Sequence, residues 1–121
     1  MSEDDYSQME ADFVDLIHTM SLHVHNIALH HGFWDTDEQS HLGAKLALVH
    51  SEVSEMLEEV RKPTTEMSKN CPLIQSAAEE AADVVIRVMD LCAKMGLPLG
   101  DAIVQKVRFN STRDFRHGKR F

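Results

Sequence analysis

A chain of 121 residues with 43% hydrophobic side chains has the length and composition of one globular domain, which excludes a disordered chain and a two-domain protein. Its formal charge of −8 argues against general nucleic-acid binding, because that binding needs a basic surface. It has only two cysteines, an N-terminus too acidic for a targeting peptide, and no apolar run near the ~20 residues of a membrane span. These features predict a reduced, cytoplasmic protein that contacts neither membrane nor nucleic acid.

The first predicted element is a long helix over residues 4–31. Apolar side chains recur along it at three- and four-residue steps and form a single stripe, which ends before Gly32. Five histidines lie on the same helix, and His18 and His25 fall away from the stripe. We expect these histidines at the surface, because they do not converge on one set of metal ligands.

The connection that follows, residues 32–40, contains Trp34, the only tryptophan of the chain. Two interpretations of Trp34 stay open: a lid over the core, or a flat platform on which a nucleobase stacks. Thr36 and Gln39 have the spacing of a capping box, so we expect the second helix to begin near residue 37.

The second helix is predicted over 37–61, because Pro63 disfavours helix at the residue before it. Its apolar residues share one arc, and four charged residues lie together at the edge of that arc: Lys45, Glu52, Glu55 and Glu59. Solvated charges normally lie opposite the core. The position of these four beside it is therefore a departure from a plain amphipathic helix.

After a loop over 62–74, a third helix over 75–95 is apolar around most of its circumference. Its one polar strip contains Glu79, Glu80, Asp83, Arg87 and Asp90, and we expect Arg87 to pair with Asp83 or Asp90. A fourth helix over 99–112 and an irregular basic tail over 113–121 complete the chain. The sequence thus predicts an all-α protein of the four-helix-bundle type.

Two pairs of carboxylates stand out, Glu52 with Glu55 and Glu80 with Asp83. Each pair has i, i+3 spacing, which places both side chains on one face of a helix. Four carboxylates on two facing helices repel one another unless a cation lies between them. Hard divalent ions such as Mg²⁺ take oxygen ligands and retain room for substrate phosphates. The pattern therefore predicts metal-dependent phosphate chemistry.

A basic segment near the C-terminus fits the same chemistry. Lys106, Asn110 and Arg113 recur at i, i+4, i+7 and share a helix face if the fourth helix reaches that far. Lys offers a point charge, Arg a bidentate fork and Asn a neutral donor for phosphate oxygens. The alternative is a cationic C-terminus that only complements the helix dipole.

The order of these motifs resembles the MazG-type all-α nucleoside triphosphate pyrophosphohydrolases, and among them the short, single-domain MazG-like members. The resemblance covers residues 26–118 and rests on ALVHSEVSEMLEEVRK, EEAADVVIRVMDLCAKMGLPL and KVRFNSTRDFRHGKRF. It implies a four-helix bundle that forms a homodimer or a dimer of dimers. The implied reaction cleaves a (d)NTP between its α- and β-phosphates, giving (d)NMP and pyrophosphate, as in nucleotide-pool house-cleaning. It depends on Mg²⁺, with Mn²⁺ as an alternative.

The resemblance also assigns roles to residues. Glu52, Glu55, Glu80 and Asp83 would be the catalytic metal ligands, and Lys106, Asn110 and Arg113 would bind the phosphates. Trp34 is a further substrate-binding candidate through its interpretation as a nucleobase platform. Many relatives have a glutamate where this chain has Ser51. The group that activates water therefore stays open between Glu59 and one of the metal ligands.

Two other functional classes compete with the hydrolase. A ferritin-like di-metal bundle needs Glu-x-x-His on two helices, and only Glu38 with His41 has that spacing. A non-catalytic helical interaction or metal-binding module would use the acidic strip as a docking face. Release of pyrophosphate from nucleotides separates this module from the enzyme.

Overall fold

The structure, a computed structural model, describes residues 1–35 and 38–121, apart from the side chains of 38–40. These residues form four helices, α1 (Glu3–His30), α2 (Glu38–Arg61), α3 (Ser76–Met95) and α4 (Leu99–Ser111). An isolated bridge joins Met67 to Gln75 in the loop between α2 and α3. The predicted all-α, four-helix fold is confirmed, and each described helix boundary lies within one residue of its predicted position. The predicted capping box of Thr36 and Gln39 lies outside the described residues.

The helix ends follow from local chemistry. Ser2 caps α1, because its hydroxyl accepts the Asp5 N–H while the Asp5 carboxylate accepts the Ser2 N–H. Gly96 ends α3 in the left-handed conformation, with φ of 67°. No helix in the described part of the chain is long and apolar enough to cross a membrane.

The four helices are ordered α2, α3, α1, α4 across the bundle. Helix α3 packs against both α1 and α2, while α4 packs against α1. Helices α3 and α4 together run back along α1, from its end toward its beginning. Asp90 of α3 bonds His25 near the end of α1, and Arg108 of α4 bonds Glu10 near its beginning. This order places α2 and α1 on either side of α3 and leaves a groove between them.

The basic tail is more ordered than the sequence predicts. Residues Phe115–Gly118 form a 3₁₀ turn instead of an irregular segment. Arg116 and His117 have φ of 52° and Gly118 has φ of 74°, so the turn is left-handed. The His117 N–H donates to the Asp114 carbonyl, and the Arg116 guanidinium donates to the Arg120 carbonyl. These local bonds offset the strain of a left-handed backbone at two non-glycine residues.

A single copy of the chain leaves much apolar surface exposed. Its accessible surface is 9364 Å², whereas a compact monomer of this mass exposes about 6,600 Å². The excess lies partly in two stripes of large apolar side chains that are about half exposed or more: Leu16, Met20 and Ile27 on α1, and Leu46, Val53, Leu57 and Val60 on α2. Each helix therefore packs on one flank of its apolar arc and leaves the other flank open.

Gly100 tests the packing of α4 on α1, and Gly43 in α2 serves as its control. A Cβ at Gly100 would lie 3.1 Å from the Cα and carbonyl oxygen of Val14, whereas a Cβ at Gly43 meets nothing within 4 Å. We expect Gly100→Ala to destabilise the protein by about 1–3 kcal/mol, because α4 must move away from the α1 backbone. Gly43→Ala is expected to stabilise it by about 0.5–1 kcal/mol through helix propensity. Urea unfolding of the two variants measures both values, and equal effects would contradict the described packing.

Candidate metal centre and adjoining groove

Three carboxylates from two helices converge between α2 and α3. Glu52 of α2 and Glu80 and Asp83 of α3 each place an oxygen within 4.8 Å of the other two. Glu52 is only 8% exposed, because α2 packs with the flank of its apolar arc that carries this residue. The i, i+3 spacing on α3 brings Glu80 and Asp83 to the same face, as the sequence predicts.

Glu55 completes the acidic cluster of Glu52, Glu55, Glu80 and Asp83. Its residue is exposed, but its carboxyl group lies close enough to Glu80 to share a hydrogen bond when one of the two is protonated. Burial raises the pKa of Glu80, and so do the charge and hydrogen bond of Glu55 and the charges of Asp83 and Glu52. Burial and the charges of Glu52 and Glu79 raise the pKa of Asp83, against the opposing charge of Arg87.

Arg87 is the cation that neutralises part of this cluster. Its Nε donates to Glu52 Oε1 at 2.6 Å, across the contact between α3 and α2. The predicted pairing of Arg87 with Asp83 or Asp90 on its own helix is therefore corrected: its bond goes to Glu52. The packing of α2 supplies a carboxylate that the α3 sequence alone does not reveal.

Asp90 has a separate set of partners. His25 donates from Nδ1 to Asp90 Oδ1 at 2.7 Å, and the Trp34 indole N–H donates to both carboxylate oxygens at 3.0 and 3.1 Å. The rings of His25 and Trp34 meet edge to face, with 5.7 Å between centroids. Trp34 is buried, at 9% exposure, as a lid over the core requires.

The position of His25 corrects the prediction that this histidine points away from the core. Helix α1 packs with the flank of its stripe that also carries Ser21, so His25 is half-buried against α3. Its contact with Asp90 spans 65 residues of sequence. The only signal in the sequence is that His25 and Ser21 lie at i, i+4 beside the apolar stripe.

A groove of about 450 Å³ adjoins the acidic cluster, with α3 as its floor and α1 and α2 as its walls. The floor carries Asp83, Ile86, Arg87 and Asp90, which recur at three- and four-residue steps. The walls are largely apolar and are formed by Val24, Ile27, Ala28, Phe33, Lys45 and Glu52. The groove thus combines a mostly apolar lining with a few convergent polar groups, which is typical of small-molecule sites.

Lys45 and Glu59, which the sequence places beside the acidic pairs, are held by other groups. The Lys45 ammonium donates to the Phe33 carbonyl at 2.6 Å and lies 4.6 Å from the centre of the Trp34 ring. Glu59 accepts from Lys62 at 2.8 Å and so faces the loop over 62–74. Its assignment as the group that activates water stays a prediction.

Lys106 and Asn110 of α4 lie at the other end of the bundle, and α4 ends at Ser111, so Arg113 follows the helix and does not continue its face. Lys106 Nζ and the Arg113 guanidinium lie 4.7 and 5.6 Å from the centre of the Phe109 ring. Asn110 Oδ1 is buried without a hydrogen-bond partner in the described part of the chain. Their helix is anchored by the bond from Arg108 to Glu10, about 22 Å along α1 from His25. Within one copy, the structure does not bring these residues to the acidic cluster.

The acidic cluster has the chemistry of a hard-cation site. All its donors are carboxylate oxygens, the set that Mg²⁺ prefers, and the cluster carries more negative charge than Arg87 cancels. Glu80 Oε2 is buried and has no partner among the described residues, so an incoming cation would satisfy it. The cluster contains no histidine, and the motif of Glu38 and His41 lies partly outside the described side chains.

Comparisons of the chain with known protein families, with curated proteins and with solved structures find no match.

Proposed function

We propose that this protein is a Mg²⁺-dependent nucleoside triphosphate pyrophosphohydrolase of the MazG-like type, acting in the cytoplasm on (d)NTPs. The observation that carries the proposal is the convergence of Glu52, Glu80 and Asp83 within 4.8 Å at one end of the groove. A cation there would lie beside a pocket of the size and lining that a nucleoside needs. The ordered ExxE and ExxD motifs support the same activity.

Each residue of the cluster has a role in the proposed reaction. Glu52, Glu80 and Asp83 would hold the cation, and Arg87 orients Glu52 through its 2.6 Å bond. Bound Mg²⁺ supplies electrostatic stabilisation of the triphosphate and activation of water. Glu55, whose carboxyl group can share a proton with Glu80 in the absence of the cation, would accept the proton of the attacking water. This residue would then activate water in place of the glutamate that many relatives have at the position of Ser51.

We propose further that the active form is a homodimer or a dimer of dimers. The half-exposed apolar stripes on α1 and α2 support this assembly, because monomers rarely leave such surface uncovered. The distance between the α4 cations and the acidic cluster supports it as well. If Lys106, Asn110 and Arg113 bind the triphosphate, a second copy must supply them to the groove.

The second candidate function is a non-catalytic helical module that binds metal or a protein partner. The same exposed stripes favour it, since they offer two apolar helix faces for docking. It predicts cation binding at the acidic cluster without turnover of nucleotides, whereas the hydrolase predicts both.

An assay of product identity tests the proposed function. The protein is incubated with a panel of canonical and modified (d)NTPs in Mg²⁺, and the products are separated by anion-exchange chromatography. We expect equal amounts of (d)NMP and pyrophosphate, and no reaction in EDTA. Formation of (d)NDP and phosphate would place the cleavage at the wrong bond, and silence across the whole panel would favour the non-catalytic module.

A further inference from the structure

The groove has two chemically different ends, separated along one helix. The acidic cluster reaches its floor at Asp83, and Asp90 lies two turns further along α3, about 10 Å away. Between and opposite these two residues lies an apolar patch, formed by Val24, Ile27 and Ile86. Arg87 lies beside this patch, and its guanidinium is bound to Glu52. On the proposed function, phosphates belong at the first end, so the sugar and base extend toward the second.

Asp90 is built as a fixed hydrogen-bond acceptor at that second end. Its carboxylate lines the groove, is 15% exposed, and is held by the N–H groups of His25 and Trp34. These partners are donors, so they stabilise the ionised carboxylate, which can only accept hydrogen bonds. A carboxylate offers about four acceptor positions, and three contacts from two donors leave capacity for one more. The groove is where a further donor can approach it.

Two cations also line the groove, and neither takes up that capacity in the described structure: Arg87 donates to the acidic cluster, and Lys45 donates to the Phe33 carbonyl. The Lys45 ammonium also lies over the rings of Phe33 and Trp34. The Lys45 ammonium is therefore held at the groove wall beside Phe33, and the Asp90 carboxylate on the floor can still accept a hydrogen bond.

We propose that Asp90 determines base specificity and selects nucleotides whose base carries an exocyclic amino group, cytosine or adenine. This inference rests on the proposed function, since it needs the triphosphate at the acidic cluster. The N4 amino group of cytosine and the N6 amino group of adenine donate to a carboxylate. The carbonyl oxygens at the same positions of uracil and hypoxanthine face it with lone pairs, so two acceptors meet without a hydrogen between them.

Matched nucleotide pairs test this inference. dCTP and dUTP differ in the amino or carbonyl group at C4, and dATP and dITP differ in the same way at C6. We expect kcat/KM for pyrophosphate release to favour the amino member of each pair by about 10- to 100-fold. In Asp90→Asn, the carboxamide can donate to a carbonyl, so the ratio is expected to fall to within a few-fold of one. Asp101→Asn, an exposed carboxylate on α4, is the control and keeps the wild-type ratio.

The ratio of kcat/KM between the two members of a nucleotide pair distinguishes a loss of base specificity from structural damage. Loss of the His25 and Trp34 contacts would lower turnover of both members of a pair equally and leave their ratio unchanged, and that result would overturn the inference. Equal kcat/KM values for dCTP and dUTP in the wild-type protein would overturn it too, while leaving the hydrolase intact. Calorimetric binding of the same pairs runs in parallel. Tighter binding of dCTP without any turnover would instead contradict the hydrolase and support the role of Asp90.

Discussion

Glu55→Gln and Asp83→Asn are each expected to lower Mg²⁺-dependent pyrophosphate release by about 100-fold or more, since loss of an outer-shell partner of a metal already costs about 10- to 100-fold. Asp83 is one of three carboxylates whose oxygens lie within 4.8 Å of one another. Glu55 lies close enough to Glu80 to raise the pKa of that carboxyl through its charge and a shared hydrogen bond when one of the two is protonated. Both substitutions keep the size of the side chain, so the helices are expected to persist. Pyrophosphate release and circular dichroism on the same samples measure the two effects.

The matched control is Glu58→Gln on the same helix. Glu58 is 70% exposed and pairs only with the neighbouring Arg61 in the described structure, so its substitution is expected to leave turnover within about twofold, as surface changes usually do. Near-wild-type turnover of Glu55→Gln or Asp83→Asn would show that the cluster is not the catalytic centre. A folded but inactive Glu58→Gln would show that net charge, and not the cluster, governs the activity.

Glu80→Gln is expected to raise the melting temperature of the metal-free protein at pH 7.5, by on the order of a few degrees. The reason is linkage: a carboxyl group whose folded-state pKa is raised contributes full stability below its ordinary pKa and loses it as pH rises through the folded pKa. The advantage of the variant should therefore vanish near pH 4 and grow toward pH 7. Thermal unfolding in EDTA across this range measures it.

The neighbouring Glu79 provides a control of opposite sign. Hydrogen bonds from Ser68 and Asn70 lower its pKa, so its contribution to stability is present at neutral pH and is lost as pH falls through the folded-state pKa. Glu79→Gln is expected to lower the melting temperature at pH 7.5.

Addition of Mg²⁺ gives a second contrast. Mg²⁺ should raise the melting temperature of the wild-type protein and that of Glu79→Gln, but much less that of Glu80→Gln. A lower melting temperature for Glu80→Gln than for the wild-type protein at pH 7.5 would contradict the destabilisation assigned to Glu80. An unchanged response of that variant to Mg²⁺ would contradict the assignment of the acidic cluster as the cation site.

The helices could be predicted from sequence, because their signals are local. Spacing of apolar residues, Pro63 and Gly96 place the boundaries to within one residue in the described part of the chain. The packed faces could not be predicted as well. On α1 the structure buries Ser21 and leaves Leu16 and Met20 exposed. The spacing of apolar residues does not indicate which of the two flanks of the stripe packs against the other helices of the same chain.

The site shows the same division between local and long-range information. The i, i+3 spacing brings Glu80 and Asp83 to one face of α3, since one turn of helix fixes it, whereas the approach of Glu52 depends on how α2 packs. The partners of Asp90 lie 56 and 65 residues away in sequence and depend on how α1 crosses α3. The placement of α4 against α1 also follows from topology. Helical spacing alone could not reveal that Lys106 and Arg113 lie far from the acidic pairs.

The bond between Arg87 and Glu52 bears on whether the protein folds before or after it binds metal. Arg87 acts as an internal counter-ion, so α2 and α3 can dock while the acidic cluster holds no metal. Zinc fingers, by contrast, stay unfolded until their ion arrives. This chain is therefore expected to fold without magnesium, and the ion then adds stability and the proposed activity to a molecule that already has its native arrangement.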